Sequence, residues 1–360
     1  MKCLLLAALL AAAPAWSAPE AAPPEAPPSA APRSAAAQAV LDAFAKNNPS
    51  AAFQAASEGR AQGDAASIYL LGQMHELGRG APSQDLKQAF ALYEEAAKAG
   101  VPEAMTAVAR CLDQGLGADK NPEKAMFYWQ MAAEAGDPPA LGKMGEAELE
   151  GHLRPANEEV ALTWLEKAAA AKDPLGLWLL SRFYDAGRAG LTANAEKALS
   201  LCREAAQAGE VPAMHRIGEC YATGRGVPRD PVAASGWFRL AADHGHVPAL
   251  AQLAASYYSG TGCLENKQLA LEMASVAAKV GHPRSQLLVG RILDSGLGGR
   301  RMPQVALAYY LRASSNAVAE ARTAADQLKA SLKPEEIQQA EALAADKNYH
   351  FDPSKSHPEK

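Results

Sequence analysis

Glycine returns at a nearly constant interval along most of this chain, at Gly78, Gly115, Gly151, Gly187, Gly224, Gly260 and Gly296, with separations of 37, 36, 36, 37, 36 and 36 residues. A second series of small-residue pairs, Ala96-Ala97, Ala132-Ala133, Ala168-Ala169, Ala205-Ala206, Ala241-Ala242, Ala277-Ala278 and Ala313-Ser314, keeps the same step. Two independent series in phase over seven copies define an internal repeat. A unit this short cannot bury an apolar face alone, so neighbouring units must stack.

The period inside each unit is helical. Seven residues before each glycine stands an aliphatic or Met side chain (Leu71, Val108, Met144, Leu180, Ile217, Leu253, Val289), followed by a small residue (Gly72, Ala109, Gly145, Ser181, Gly218, Ala254, Gly290). Four residues before the aliphatic position, Ser67, Ala104, Ala140, Gly176, Ala213, Ala249 and Ser285 share its face, which predicts a helix A of about eleven residues. A Gly-x-Gly turn follows in several copies, as at Gly78/Gly80, Gly115/Gly117 and Gly260/Gly262. A helix B is then expected from near Pro122, Pro231 or Pro303 to the glycines at 100, 136, 209, 245 and 281, with a proline close behind opening the next unit. Aromatics are only 6% of the chain and alanine is abundant, which favours close helix–helix approach and an all-α protein. The aromatic residues of helix B (Tyr93, Tyr128, Trp129, Trp164, Trp237, Phe238, Tyr309, Tyr310) recur in register and read as core.

The run Ala213-Met-His-Arg-Ile-Gly-Glu-Cys-Tyr-Ala-Thr-Gly-Arg-Gly-Val-Pro-Arg-Asp230, followed by Trp237-Phe238 and Ala241-Ala242-x-x-Gly245, resembles the Sel-one-like repeat (SLR) family, relatives of tetratricopeptide repeats. The resemblance covers residues 64–317 and implies an α/α superhelical solenoid of about seven two-helix repeats. Two copies depart from the pattern: Arg154-Pro155 replaces the second turn glycine in the third, and Ala189-Gly190 displaces it in the fourth. The fourth also has Leu201-Cys202 where an aromatic pair is expected.

The flanks complete the layout. Lys2, the apolar run Cys3–Ala13 and Pro14 read as a secretory signal over 1–17, cleaved after Ser17, which places the mature protein in the periplasm or outside the cell. Residues 18–36, almost entirely Ala, Pro, Glu and Ser, are expected to be a disordered linker. Helical caps are expected at 37–63 and 318–345, the latter with Pro334-Glu335-Glu336 at a helix start, and a flexible tail at 346–360. No second long apolar stretch occurs, so no stable membrane insertion is expected. A net charge of −5 removes the footprint of a nucleic-acid binder.

The resemblance to tetratricopeptide arrays implies that helices A line a concave binding surface, with inward positions nine, five and two residues before each anchoring glycine. Aromatic and arginine anchors there nominate Tyr69, Arg110, Trp178, Arg182, His215, Glu219, Tyr258 and Arg291 as contacts for an unidentified protein or peptide partner. The i, i+3 spacings Arg110–Asp113, Arg182–Asp185 and Arg291–Asp294 equally allow solvated ion pairs. Cys202 and Cys220 lie at equal distance from a turn near Val211, so they are expected either to form a disulfide or to be buried thiols. His244-x-His246 is the only close histidine pair and falls at a helix end, so neither metal nor cofactor is expected. No nucleophile elbow, phosphate loop, Ser-x-x-Lys, His-Glu-x-x-His or Cys-x-x-Cys occurs. The expectation is therefore a scaffold and not an enzyme. The resemblance alone also suggests two alternatives, a β-lactam-binding or β-lactamase-like secreted protein and an envelope assembly factor that contacts peptidoglycan.

Overall fold

The periodic glycines sit where helices end. In the computed structural model, which describes residues 34–81, 83–151 and 155–353, each of the seven is the C-cap of a thirteen-residue helix, with φ between 65° and 80°. That left-handed geometry is open to glycine without penalty, and the cap N–H closes the last turn onto a carbonyl four residues back. Residues 1–33, which hold the expected signal and most of the linker, lie outside the described residues, as do Arg154 and residues 354–360 of the tail.

The described residues form helices and no strand. Helices α1 (Ala35–Ala45) and α2 (Pro49–Ala61) precede the repeats. The A/B pairs follow as α3 (Ala65–Leu77) with α4 (Leu86–Lys98), α5 (Pro102–Gln114) with α6 (Pro122–Glu134), α7 (Pro138–Glu150) with α8 (Glu158–Ala170), and α9 (Pro174–Ala186) with α10 (Ala195–Gln207). Three more are α11 (Val211–Thr223) with α12 (Pro231–Asp243), α13 (Val247–Ser259) with α14 (Lys267–Lys279), and α15 (Pro283–Ser295) with α16 (Pro303–Ser315). Helices α17 (Ala319–Lys329) and α18 (Pro334–Ala345) follow. The described chain divides into two compact units, 34–209 and 210–353. Helix A is two residues longer than expected because the prolines at its start stand inside its first turn, where no N–H partner is lost. Helix α1 likewise begins inside the expected linker, with Ser34 Oγ accepting from Ala37 N at 3.0 Å.

Each pair is held by a reciprocal fit of small and large. A Cβ added at Gly72 would meet Tyr93 Cε1 at 2.6 Å, at Gly145 the Leu165 side chain at 2.4 Å, at Gly218 the Phe238 ring at 2.6 Å, and at Gly290 the Tyr310 ring at 2.5 Å. All four partners are buried. In the fourth pair the same two positions hold Ser181 and Cys202, and in the sixth Ala254 and Ala274, so a larger residue on helix A coincides with a smaller one on helix B. The second pair combines Ala109 with Trp129, whose indole N–H is aimed at Asp113 Oδ2 at 2.8 Å.

Successive pairs are joined through the second turn glycine. A Cβ on Gly117 would stand 2.0 Å from Leu86 O, in the first turn of the preceding helix B, and Gly80 and Gly262 abut Pro49 O and Pro231 O in the same way. The fourth turn lacks this approach: Gly190 has open space around it and Ala189 takes the left-handed conformation at φ 49°. There Arg188 reaches Glu158 Oε1, in the first turn of α8, at 2.6 Å and lies over the Phe183 ring, so an ion pair stands where the backbone contact is missing.

A third periodic series emerges at the start of helix B. Asp85, Asn121, Asn157, Asn194, Asp230 and Asn266 each cap the following helix through the side chain and donate their own N–H to a carbonyl in the last turns of the preceding helix A. Each such cap contributes roughly 1 kcal/mol.

Over 346–353 the C-terminal tail lies against α16. Arg312, on α16, donates to the carbonyls of Leu343, Ala344, Asp346 and Tyr349 and lies under the Tyr349 ring. Phe351 is buried, and its N–H donates to Tyr309 Oη at 3.0 Å. The arginine answers the last carbonyls of α18, and this pins the segment that composition alone reads as frayed.

These contacts order the cost of substitutions. Gly117→Ala should lose about 2–4 kcal/mol, from the left-handed backbone together with the clash against Leu86 O. Lys172 holds φ 58° in a turn where other copies have glycine, so Lys172→Gly should gain about 0.5–1 kcal/mol. Urea denaturation monitored by circular dichroism checks both; equal midpoints for the two variants would contradict this account of the turns.

Candidate functional site

Helix A presents its nominated residues differently in the two units. In the first, Tyr69 Oη accepts from Gln73 Nε2 at 2.7 Å, and its ring packs against Tyr93. Tyr93 Oη and Arg110 Nη2 both donate to Glu76 Oε2 at 2.6 Å. Burial would raise the Glu76 carboxyl, but the hydrogen bonds from Arg110 and Tyr93 and the arginine charge outweigh it and hold the group below its ordinary value. Burial, with the nearby Glu103 and Asp137 carboxylates, pushes the Tyr69 phenol up to about 12. Asp137 is buried and accepts from Thr106 Oγ1 at 2.6 Å; its carboxyl is raised by burial despite that bond.

The alternative of i, i+3 ion pairs within helix A does not hold for two of the three spacings. Arg110 pairs with Glu76 of the preceding helix A, 34 residues away, while Asp113 accepts from Trp129. Arg291 pairs with Glu320 of α17 at 2.6 Å, and Asp294 with Arg301 at 2.9 Å. Elsewhere the i, i+3 pairing does occur, as between Lys143 and Glu146, so what the neighbouring element presents decides the partner.

Trp178 and Arg182 differ from the rest. Arg182 is exposed and lies over the Trp178 ring, 5.9 Å from its centroid, and makes no hydrogen bond or ion pair with another described residue. The half-buried indole likewise keeps its N–H unpartnered among the described residues.

In the second unit His215 packs against the rings of His246 at 4.9 Å and Phe238 at 5.6 Å, and burial lowers its ionisation below the ordinary imidazole value, offset in part by Glu219. Glu219 pairs with Arg216 at 2.8 Å. Tyr258 lies beneath Lys267 Nζ, 4.1 Å from the ring centroid, and Lys267 also donates to the Tyr258 carbonyl. The His244-x-His246 pair is explained by capping: His246 Nδ1 accepts from Ala249 N, and His282 caps α15 in the same position of the next repeat. Among the described residues no group of three or more metal-ligating side chains comes together.

Cys202 and Cys220 are thiols, one in each unit. Both are buried, and Cys202 Sγ donates to Ser181 Oγ at 3.2 Å, at the small-to-large junction of the fourth pair.

Sequence reasoning did not pair Glu76 and Glu320 with the nominated Arg110 and Arg291, nor Arg301 with Asp294. The signal that would have found the two carboxylates is the stacking of neighbouring helices, since they stand 34 and 29 residues from their arginines.

Seven A/B helix pairs with capped, glycine-closed turns define an α/α repeat protein of the solenoid class. A Sel1 repeat profile matches residues 65–101, 102–137, 138–173, 174–210, 211–246, 247–282 and 283–318. The chain belongs to the Sel1 repeat family, whose members are protein-interaction scaffolds. Among solved structures it is similar to c5321, a protective antigen present in uropathogenic Escherichia coli strains and displaying an SLR fold, with a TM-score of 0.70 and 25% identity, covering 88% of this chain and 69% of that one. It is also similar to a Sel1 repeat protein from Oxalobacter formigenes, with a TM-score of 0.58 and 27% identity, covering 68% of this chain and 99% of that one. Comparison with curated proteins gives no match.

The depressed Glu76 carboxyl sets a pH dependence. Its contribution to stability is fully present above the ordinary carboxylate value and is lost as pH falls through the lowered one. The melting temperature of Glu76→Gln should therefore lie below that of the parent near pH 7, and the gap should narrow as the pH falls below the ordinary carboxylate value and through the lowered one. A gap that widens on acidification would contradict the assignment.

Proposed function

We propose that this protein is an exported, non-catalytic scaffold whose helix-A surface holds a protein or peptide partner, centred in the first unit on Trp178 and Arg182. The observation that carries the reading is the state of that pair. Arg110 and Arg291 are each engaged by a carboxylate of the same chain, whereas Arg182 is exposed, lies over an indole and has no ionic partner among the described residues. Tryptophan and arginine dominate the energetics of protein interfaces, and a stacked guanidinium is oriented before binding, which lowers the entropy lost on contact. Family membership supports a scaffold, and no helix among the described residues is long and apolar enough to cross a membrane.

Export rests on Lys2 and the apolar run Cys3–Ala13. The antigenic character ascribed to the uropathogenic relative is consistent with a location outside the cytoplasm. The mature chain should begin at Ala18, which N-terminal sequencing of the exported fraction reads directly; recovery only of intact chain from the cytoplasm would refute export.

The double variant Trp178→Ala/Arg182→Ala should lose about tenfold or more in partner capture with little change in melting temperature. Pull-down from the exported fraction beside a thermal melt makes the comparison. Equal capture by parent and variant would remove these residues from the interface.

A further inference from the structure

The helix-A surface of the second unit ends in a cavity of about 580 Å³ between α15, α16 and α17, within the size range of ligand sites. Its wall is largely polar. Arg291 and Asp294 come from α15, Arg301 from the turn that follows, Tyr310 from α16, and Glu320 and Gln327 from α17.

The donors there exceed the acceptors that occupy them. A guanidinium offers five N–H groups in a fixed fork. Arg291 commits one of them, Nη2, to Glu320 Oε2 at 2.6 Å. Arg301 uses Nε and Nη2 on the Asp294 carbonyl and carboxylate and leaves Nη1 uncommitted. The Tyr310 hydroxyl borders the cavity without a partner among the described residues, and burial with the adjacent Asp294 keeps its proton in place, with a pKa of about 12. Three donor groups therefore converge on one volume, and the single carboxylate supplied to Arg291 is held at one point instead of by a bidentate fork.

That carboxylate is also the easiest to move. The Glu320 side chain is 69% exposed and Arg291 47%. An exposed single-point pair contributes roughly 0–1 kcal/mol, so an incoming carboxylate that engages Arg291 together with Arg301 or Tyr310 displaces it at little cost. The first unit provides the contrast: Glu76 is 19% exposed and receives both Tyr93 and Arg110, so its arginine is committed.

We infer that this cavity binds a carboxylate of an acidic peptide, and that Glu320 is a built-in competitor that occupies Arg291 until such a peptide arrives. The inference rests on the reading of the helix-A surface as the partner-binding side, and it gives the partner a chemistry.

The test uses the full chain and fluorescence anisotropy with three labelled probes: a tetraglutamate peptide with blocked ends, a tetra-alanine peptide with a free C-terminal carboxylate, and a blocked tetraglutamine control. Side-chain recognition predicts binding of the first, terminal recognition binding of the second, and both predict none of the third. Glu320→Gln should bind the acidic probe about fivefold more tightly, since a competing surface ion pair has been removed. Arg291→Gln should bind at least about tenfold more weakly. Glu320→Gln lies on an exposed helix turn, and unchanged circular dichroism shows that it folds. Tightening in that variant is an effect that a merely structural pair would not produce. Unchanged or weaker binding by Glu320→Gln, or equal binding by Arg291→Gln, overturns the inference. A protein that captures partners through Trp178 and Arg182 but binds no acidic probe keeps the scaffold reading and loses this one; a protein that does neither loses both.

Discussion

The distance between helices A and B of one pair governs the rest of this structure. It is set where a side chain of helix B enters the space left by a missing one on helix A: Tyr93 over Gly72, Leu165 over Gly145, Phe238 over Gly218, Tyr310 over Gly290. Protein interiors are close-packed, so this distance has little slack and each residue's volume is tied to that of its counterpart. The tie shows in the copies that break the pattern, since Ser181 stands with Cys202 and Ala254 with Ala274. The second pair departs from this, with Ala109 beside Trp129, whose indole N–H turns to Asp113. Because the pairs repeat, small deviations there would be transmitted to each following turn, where backbone already touches backbone at Gly117 and Leu86.

On this rigid base the polar side chains of helix A divide into two kinds. Some serve the fold: Glu76, Tyr93 and Arg110 satisfy one another, Thr106 answers buried Asp137, and Asp113 takes the Trp129 indole. Removing one member would leave the others unsatisfied, which makes them structural even though they face the nominated surface. Others remain available, and Trp178 with Arg182 is the clearest case. Residue type alone could not separate Arg110 from Arg182, because the difference lies in what the next helix presents.

The helices, their pairing and their order were legible in the sequence because glycine and small residues recur for reasons of backbone geometry that any copy must meet. The Asp and Asn caps at 85, 121, 157, 194, 230 and 266 were equally periodic but carry no apolar signal, so hydrophobic spacing passed over them. The site was less legible. Helix-A positions could be listed by counting back from each glycine, but their pairing depends on neighbouring helices, as Arg291 with Glu320, 29 residues away, and Arg188 with Glu158, 30 residues away, show. Symmetry about a turn says nothing about Ser181, which Cys202 meets. Composition likewise cannot register a single arginine that gathers four carbonyls between Leu343 and Tyr349.

That arginine has a consequence for assembly. The contact by which one repeat adds to the next is head-to-tail, and an unfinished end of such a series is complementary to the beginning of another molecule, the arrangement that grows into open filaments. At the C-terminal end the last carbonyls of α18 are already answered by Arg312, and Phe351 from the chain's own tail is buried beside Tyr309. The segment that looks expendable in composition thus occupies carbonyls of α18 and a face of α16 that a further helix pair would otherwise have to satisfy.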